Sequence, residues 1–237
     1  MKRILLIALC LMLFLASKSM AETKPRIGVL RFTNDTHAGW WKASVGTELQ
    51  DMLVSELAST KSFQVLERKE IDAVLGEQDL GASGRVSKST RAKIGKIKGA
   101  KYLVAATVSS YEEDTSGTGG GIGFAGFSIG GKKDKAYIAV DLKVIDTETG
   151  EIADARTVEA SSSSGGLSLG GGVGMFHGSL SQYKKTPAGK AIRACIIEIS
   201  DYLECSLVKG KDSGCMDEYA AKESSRREKT KKSIELE

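Results

Sequence analysis

Apolar positions divide the chain into two unlike halves. Arg26-Ile-Gly-Val-Leu-Arg-Phe32 reads as a buried strand that runs into the polar turn Thr33-Asn34-Asp35-Thr36. After a short loop holding Trp40 and Trp41, Leu49, Met52, Leu53 and Leu57 fall at helical spacing. That spacing predicts a helix from about Val45 with one apolar stripe against a sheet. Phe63-Gln-Val-Leu-Glu-Arg68 is a second strand, and Ile71, Val74 and Leu75 share one face of a following helix. Gly81 to Arg85 is a loop. Ser87 then suits the N-cap of a third helix that carries Ile94 and Ile97 and stops at Gly99. Lys101 to Val108 is a strong third strand. The order β-α-β-α-α-β predicts a layered unit with helices on at least one sheet face.

The second half is antiparallel in pattern. Ala136 to Asp146 is a strand, Thr147-Glu148-Thr149-Gly150 a turn, and Glu151 to Ala160 the return. Thr186-Pro187 supplies a cap and a first-turn proline for a helix reaching about Leu207. Lys209 to Glu237 is mixed in charge and poor in apolar residues, which predicts a disordered tail or a frayed, solvated helix. The fold class is therefore α+β: an α/β-type layered domain over 22–208, with a mixed sheet flanked by helices, two Gly-rich β-hairpin insertions and a C-terminal helix. The insertions fall at about 112–140 and 151–185.

Glycine marks those insertions. Eight of the 27 glycines lie in 117–131 and seven in 165–178. Each window is apolar near its expected hairpin tip, with Ile122, Phe124, Phe127 and Ile129 in the first and Leu167, Leu169, Val173 and Met175 in the second. These are candidates for contact with a membrane.

The first 21 residues bear on location. Lys2 and Arg3 precede the apolar run Ile4 to Ala16, and Ser19-Met20-Ala21 offers small residues for cleavage. The run is shorter than the ~20 residues a spanning helix needs. It reads as a signal peptide, with the mature chain starting near Glu22 and the product exported to the periplasm, where the outer membrane is within reach. Cys10 follows Leu9, where a lipidation site needs a small residue, so no credible lipidation site is present. Loss of Lys2, Arg3 and Lys18 leaves the basic residues in near balance with the 30 acidic ones. That balance gives no electrostatic footprint for nucleic acid.

Candidate chemistry is sparse. Cys195 shares a stripe with Ile192, Ile196 and Ile199, which suits core packing. Cys205 and Cys215 are candidates for a disulfide in an oxidising compartment, with free thiols as the open alternative. His37 and His177 have no ligand-spaced partners, so neither a metal nor a cofactor is expected. Gly121-Ile-Gly-Phe-Ala-Gly126 matches a dinucleotide fingerprint in letters, but lacks the preceding strand and following helix that would hold a pyrophosphate. Gly131-Lys132 lacks the Ser or Thr of a P-loop at Lys133. Serines 161–164 have no base, and Glu112-Glu113 lack a partner that would perturb them. The expectation is a protein that is not an enzyme.

In order along the chain, Val29-Leu30-Arg31-Phe32-Thr33-Asn34, Trp40-Trp41, Asp51 to Val54, Phe63 to Arg68, Gly81-Ala-Ser-Gly84, Lys93 to Lys96 and Gly99 to Val104 resemble the CsgG family of curli assembly and transport components. Val140-Asp141-Leu142, Ile145-Asp146-Thr147, Thr149 to Ile152 and Lys185 to Lys190 continue the resemblance to about Leu207. The resemblance implies a homo-oligomeric ring that secretes fibre subunits, each copy giving two β-hairpins to a shared outer-membrane barrel. It also places a channel constriction in the loop His37 to Ser44. Trp41 falls at the aromatic position there, and Trp40 stands where the curli channels carry a polar residue. A soluble periplasmic binding or scaffold protein on the same domain is the competing expectation, because the apolar stretches are short for strands of ~9–11 membrane-spanning residues.

Overall fold

The computed structural model describes residues 23–37, 41, 44–114, 135–163, 166–169 and 187–233. The elements are β1 (Arg26–Val29), β2 (Thr33–Asn34), α1 (Val45–Thr60), β3 (Gln64–Leu66), α2 (Ile71–Ala82), β4 (Tyr102–Asp114), β5 (Lys135–Asp146), β6 (Ile152–Ser163), β7 (Gly166–Leu169), α3 (Pro187–Glu204) and α4 (Gly214–Ser233). A π-helical turn, Cys205–Lys209, extends α3. The strands form one mixed sheet in the order β3-β1-β4-β5-β6-β7, with β2 prolonging the β1 side along β4. β1 runs parallel to β3 and β4, whereas β4 to β7 are antiparallel neighbours. The class is the α+β arrangement that the sequence predicts.

One sheet face is apolar and covered. Val104, Ala106 and Val108 of β4 stand opposite Val144, Leu142 and Val140 of β5, and all six are buried. Val158 and Ala160 of β6 continue the rows. α1 and α3 pack on this face, burying Leu49, Leu53 and Leu57 from one helix and Ile199 and Leu203 from the other. Each large aliphatic side chain so buried contributes about 1.5–3 kcal/mol before entropy is counted. Gln50 is also buried, and its amide Nε2 donates to the Val29 carbonyl at 2.8 Å, which ties α1 to the end of β1.

β4 carries a bulge between Val108 and Ser110. Beyond it Tyr111, opposite Ile138, packs against the core. β4 also runs six residues past the Val108 that ends the sequence-predicted strand.

Two regions differ from the sequence expectation. No helix forms between Ser87 and Gly99; isolated turns stand at 88–90, closed by the Thr90 and Arg91 N–H groups on the Ser87 carbonyl, and at 94–95. Six basic residues and no acidic one fall in 83–98. Like charges three or four residues apart oppose a helix, and Gly95 takes a left-handed φ of 79°. Ile94 stays 65% exposed, so no packing compensates. The tail differs in part: of the two states expected, Gly214–Ser233 takes the helical one, and it is docked rather than frayed. Its few contacts are well placed. Tyr219 is buried edge-on to Tyr202, with centroids 5.0 Å apart. The Arg156 guanidinium lies 5.2 Å from the Tyr202 ring and 4.8 Å from that of Tyr219.

Candidate functional site

Four strand ends make one row across the sheet. Asp114 pairs with Lys135, Lys135 with Ser163, and Ser163 with Gly166. The first glycine-rich window therefore departs from this row, and the second begins in it. β2 lies beside β4 at Val108, so the loop from β2 to α1 leaves toward the same end of the sheet, some six residues lower. At about 3.3 Å per residue that is ~20 Å.

The sequence-selected residues fall unevenly on this frame. Trp41 is half-buried and packs against the core cluster, which makes its ring an anchor for the β2–α1 loop. Trp40 lies outside the described residues, as do Ile122, Phe124, Phe127, Ile129, Val173 and Met175. Leu167 and Leu169 sit within β7, paired with Ser162 and Ala160, and so on a strand rather than at a hairpin tip. The β6–β7 register brings Ser163 opposite Gly166. Cys205 and Cys215 are disulfide-bonded, with Cα atoms 6.1 Å apart, and the bridge joins the end of α3 to the start of α4.

A cleft of about 600 Å³ lies where α4 passes β5 and β6, lined by Tyr137, Arg156, Glu159, Glu198, Lys222 and Arg226 among others. Most of its charges are already matched. Lys222 Nζ is 3.2 Å from Glu198 Oε1, Arg226 Nη2 is 2.7 Å from Glu223 Oε1, and Arg226 Nη1 is 3.9 Å from Glu159 Oε1. Arg156 Nη1 donates to the Tyr219 carbonyl at 2.9 Å. Burial, aided by Glu159, pushes the Tyr137 phenol up to about 12. Burial likewise pushes the Cys195 thiol up, which leaves it a poor nucleophile. The arrangement is that of a docking seam between α4 and the sheet. Nothing in the sequence singles out Arg156, because its two tyrosines come from segments 17 residues apart.

The seam has a pH signature. A hydrogen bond from Arg226 holds the Glu223 carboxyl below the usual carboxylate range. A depressed folded-state pKa adds stability above the unfolded value of ~4.3 and loses it as pH falls through the folded value. Helicity measured by circular dichroism should hold from neutral pH to about 5. Below about 4 a step should follow that Glu223→Gln moves or abolishes.

Among the described residues no group of His, Cys, Asp and Glu could hold a metal ion, and no helix is long and apolar enough to cross a membrane. The model of the family of the curli production assembly/transport component CsgG matches residues 10–234. The chain belongs to the CsgG family. It is thus an envelope component of that family. It is 29% identical over 170 residues to the "Putative lipoprotein NMB1126/NMB1164" of Neisseria meningitidis serogroup B, spanning 72% of this chain and 66% of that protein. The structure of the hypothetical protein CT253 from Chlamydia trachomatis is 14% identical, covering 79% of this CsgG-family chain and all of that one, with a TM-score of 0.46. The PelC dodecamer from Paraburkholderia phytofirmans is 10% identical, covering 76% and 88%, with a TM-score of 0.38.

Proposed function

We propose that this CsgG-family chain is an exported, non-enzymatic subunit of a homo-oligomeric assembly at the outer membrane that secretes or assembles curli-like extracellular fibre subunits. The observation that supports this reading most is the single row of strand ends from which the glycine-rich excursions start. Segment 115–134 joins two long strands of the central sheet. As a hairpin it would supply about nine residues per arm, or roughly 30 Å, the thickness of a bilayer's hydrocarbon core. Ile122, Phe124, Phe127 and Ile129 would then be the membrane-contacting tip. A cleaved leader ending at Ala21 delivers the chain, and lipidation at Cys10 plays no part. Trp41 holds the β2–α1 loop at the mouth-facing end of the sheet, where Trp40 would line a constriction.

A soluble periplasmic scaffold on the same body is the second reading. The pairing of β7 on β6 favours it, because it folds the start of the second window back along the sheet. Membrane fractionation separates the two. Wild-type protein should sediment with outer membranes and appear as rings in detergent by negative-stain imaging. Replacing residues 117–131 by a short polar turn should leave the body folded and move the protein to the soluble fraction. A wild-type protein found wholly in the soluble fraction, unchanged by that replacement, overturns the channel reading and leaves the scaffold.

A further inference from the structure

The region from Glu70 to Lys98 forms a protruding elbow whose surface is unlike the rest of the molecule. α2 buries only Gln78 and Gly81. Its apolar Val74, Leu75 and Leu80 are each more than 40% exposed. The returning segment adds Ile94 and Ile97, 65% and 40% exposed. Exposed apolar residues concentrated in one stretch mark an interaction surface more often than isolated ones do.

Charge says what would cover it. Glu70, Asp72, Glu77 and Asp79 give the α2 stretch four acidic residues and no basic one. Arg85, Lys88, Arg91, Lys93, Lys96 and Lys98 give the following segment six basic residues and no acidic one. Among the described residues no ion pair joins the two groups. This contrasts with the seam at α4, where opposite charges meet within the chain. The two stretches meet at the end of α2, where Gly81 abuts Arg91 and Ala92. Within the chain Glu70 lies 3.8 Å from Lys69 and Lys98 donates to Gln64 at 3.1 Å. One chain thus carries both halves of a complementary pair, each with its own exposed apolar residues and neither paired with the other. Complementary potentials of this kind guide and select partners.

From this we infer that the elbow is the joint between copies: the acidic, apolar α2 of one subunit docks on the basic 83–98 segment of another. The inference rests on the oligomeric reading above and names the surface that makes it. It also accounts for the missing helix at 83–98, since an irregular basic segment can mould itself to a neighbouring helix.

Paired charge reversals on the full mature protein test this. Glu77→Lys with Asp79→Lys reverses two of the four acidic charges on the helix, and Lys93→Glu with Lys96→Glu reverses two of the six basic charges on the segment. All four positions are exposed, so circular dichroism and thermal unfolding should match wild type. Light scattering coupled to gel filtration should show either reversal alone raising the concentration for half-assembly on the order of 100-fold. Mixing the two reversed proteins should restore assembly, because each new like-signed clash is removed in the mixture. Wild-type assembly should also weaken toward ~1 M salt, where screening acts over about 3 Å. Assembly of wild type that neither reversal nor salt affects overturns the elbow joint while leaving the oligomeric reading intact. A wild type that is monomeric with and without detergent overturns both.

Discussion

Gly46→Ala should lower the stability of the isolated domain by about 3 kcal/mol. Gly46 sits in the first turn of α1, and a Cβ placed there would lie 2.3 Å from the Phe32 carbonyl oxygen. The obstacle is backbone, and the same pair is held by the Phe32 N–H donating to the Gly46 carbonyl at 3.1 Å. Moving α1 away to admit the methyl would break that hydrogen bond and disturb the buried Gln50 bond to Val29 one turn on. Alanine's better helix propensity offsets ~1 kcal/mol, and the overpacking and lost bond outweigh it. For a domain of this size each kcal/mol shifts Tm by about 2–4 °C, so a drop of roughly 6–12 °C is expected by calorimetry. An unchanged Tm would mean that α1 enters the fold by another path.

Replacing Cys205 and Cys215 together by serine should cost about 2–3 kcal/mol, the entropy of reopening a loop of 10 residues. The loss should not be uniform. α4 makes its other contacts through Met216, Tyr219, Lys222 and Arg226, all on one side. Without the bridge, amide exchange should accelerate over 214–233 before it changes in β4 or β5. Reductant should reproduce the effect in the wild type and do nothing to the double serine variant. Global unfolding with no early phase in α4 would show that the helix is an integral part of the core.

The central body was legible from periodicity because each element there packs on one continuous face. Leu49, Leu53 and Leu57 announced α1, and the alternation in Ala136 to Asp146 announced β5 to within a residue. Two segments misled because their apolar content is low and their state depends on what they meet. Ile94 and Ile97 suggested a helix face that finds nothing to pack on. The tail looked too polar to order, yet one tyrosine, one disulfide and a few ion pairs hold it. The candidate site was legible only as positions of glycine. That four strand ends align in one row depends on strand register, which composition does not reveal.

The extra residue in β4 acts as a phase shift. Below it the even-numbered side chains Val104, Ala106 and Val108 point toward the helices; above it the odd-numbered Tyr111 does. Were Ser109 to take a regular place in the ladder instead, the upper strand would turn over and Glu112, now exposed, would face the apolar layer. By leaving one serine out of the ladder, the bulge lets one unbroken strand keep its greasy side inward near the helices and Glu112 in water above, so the ribbon can lengthen without dragging that carboxylate into the core.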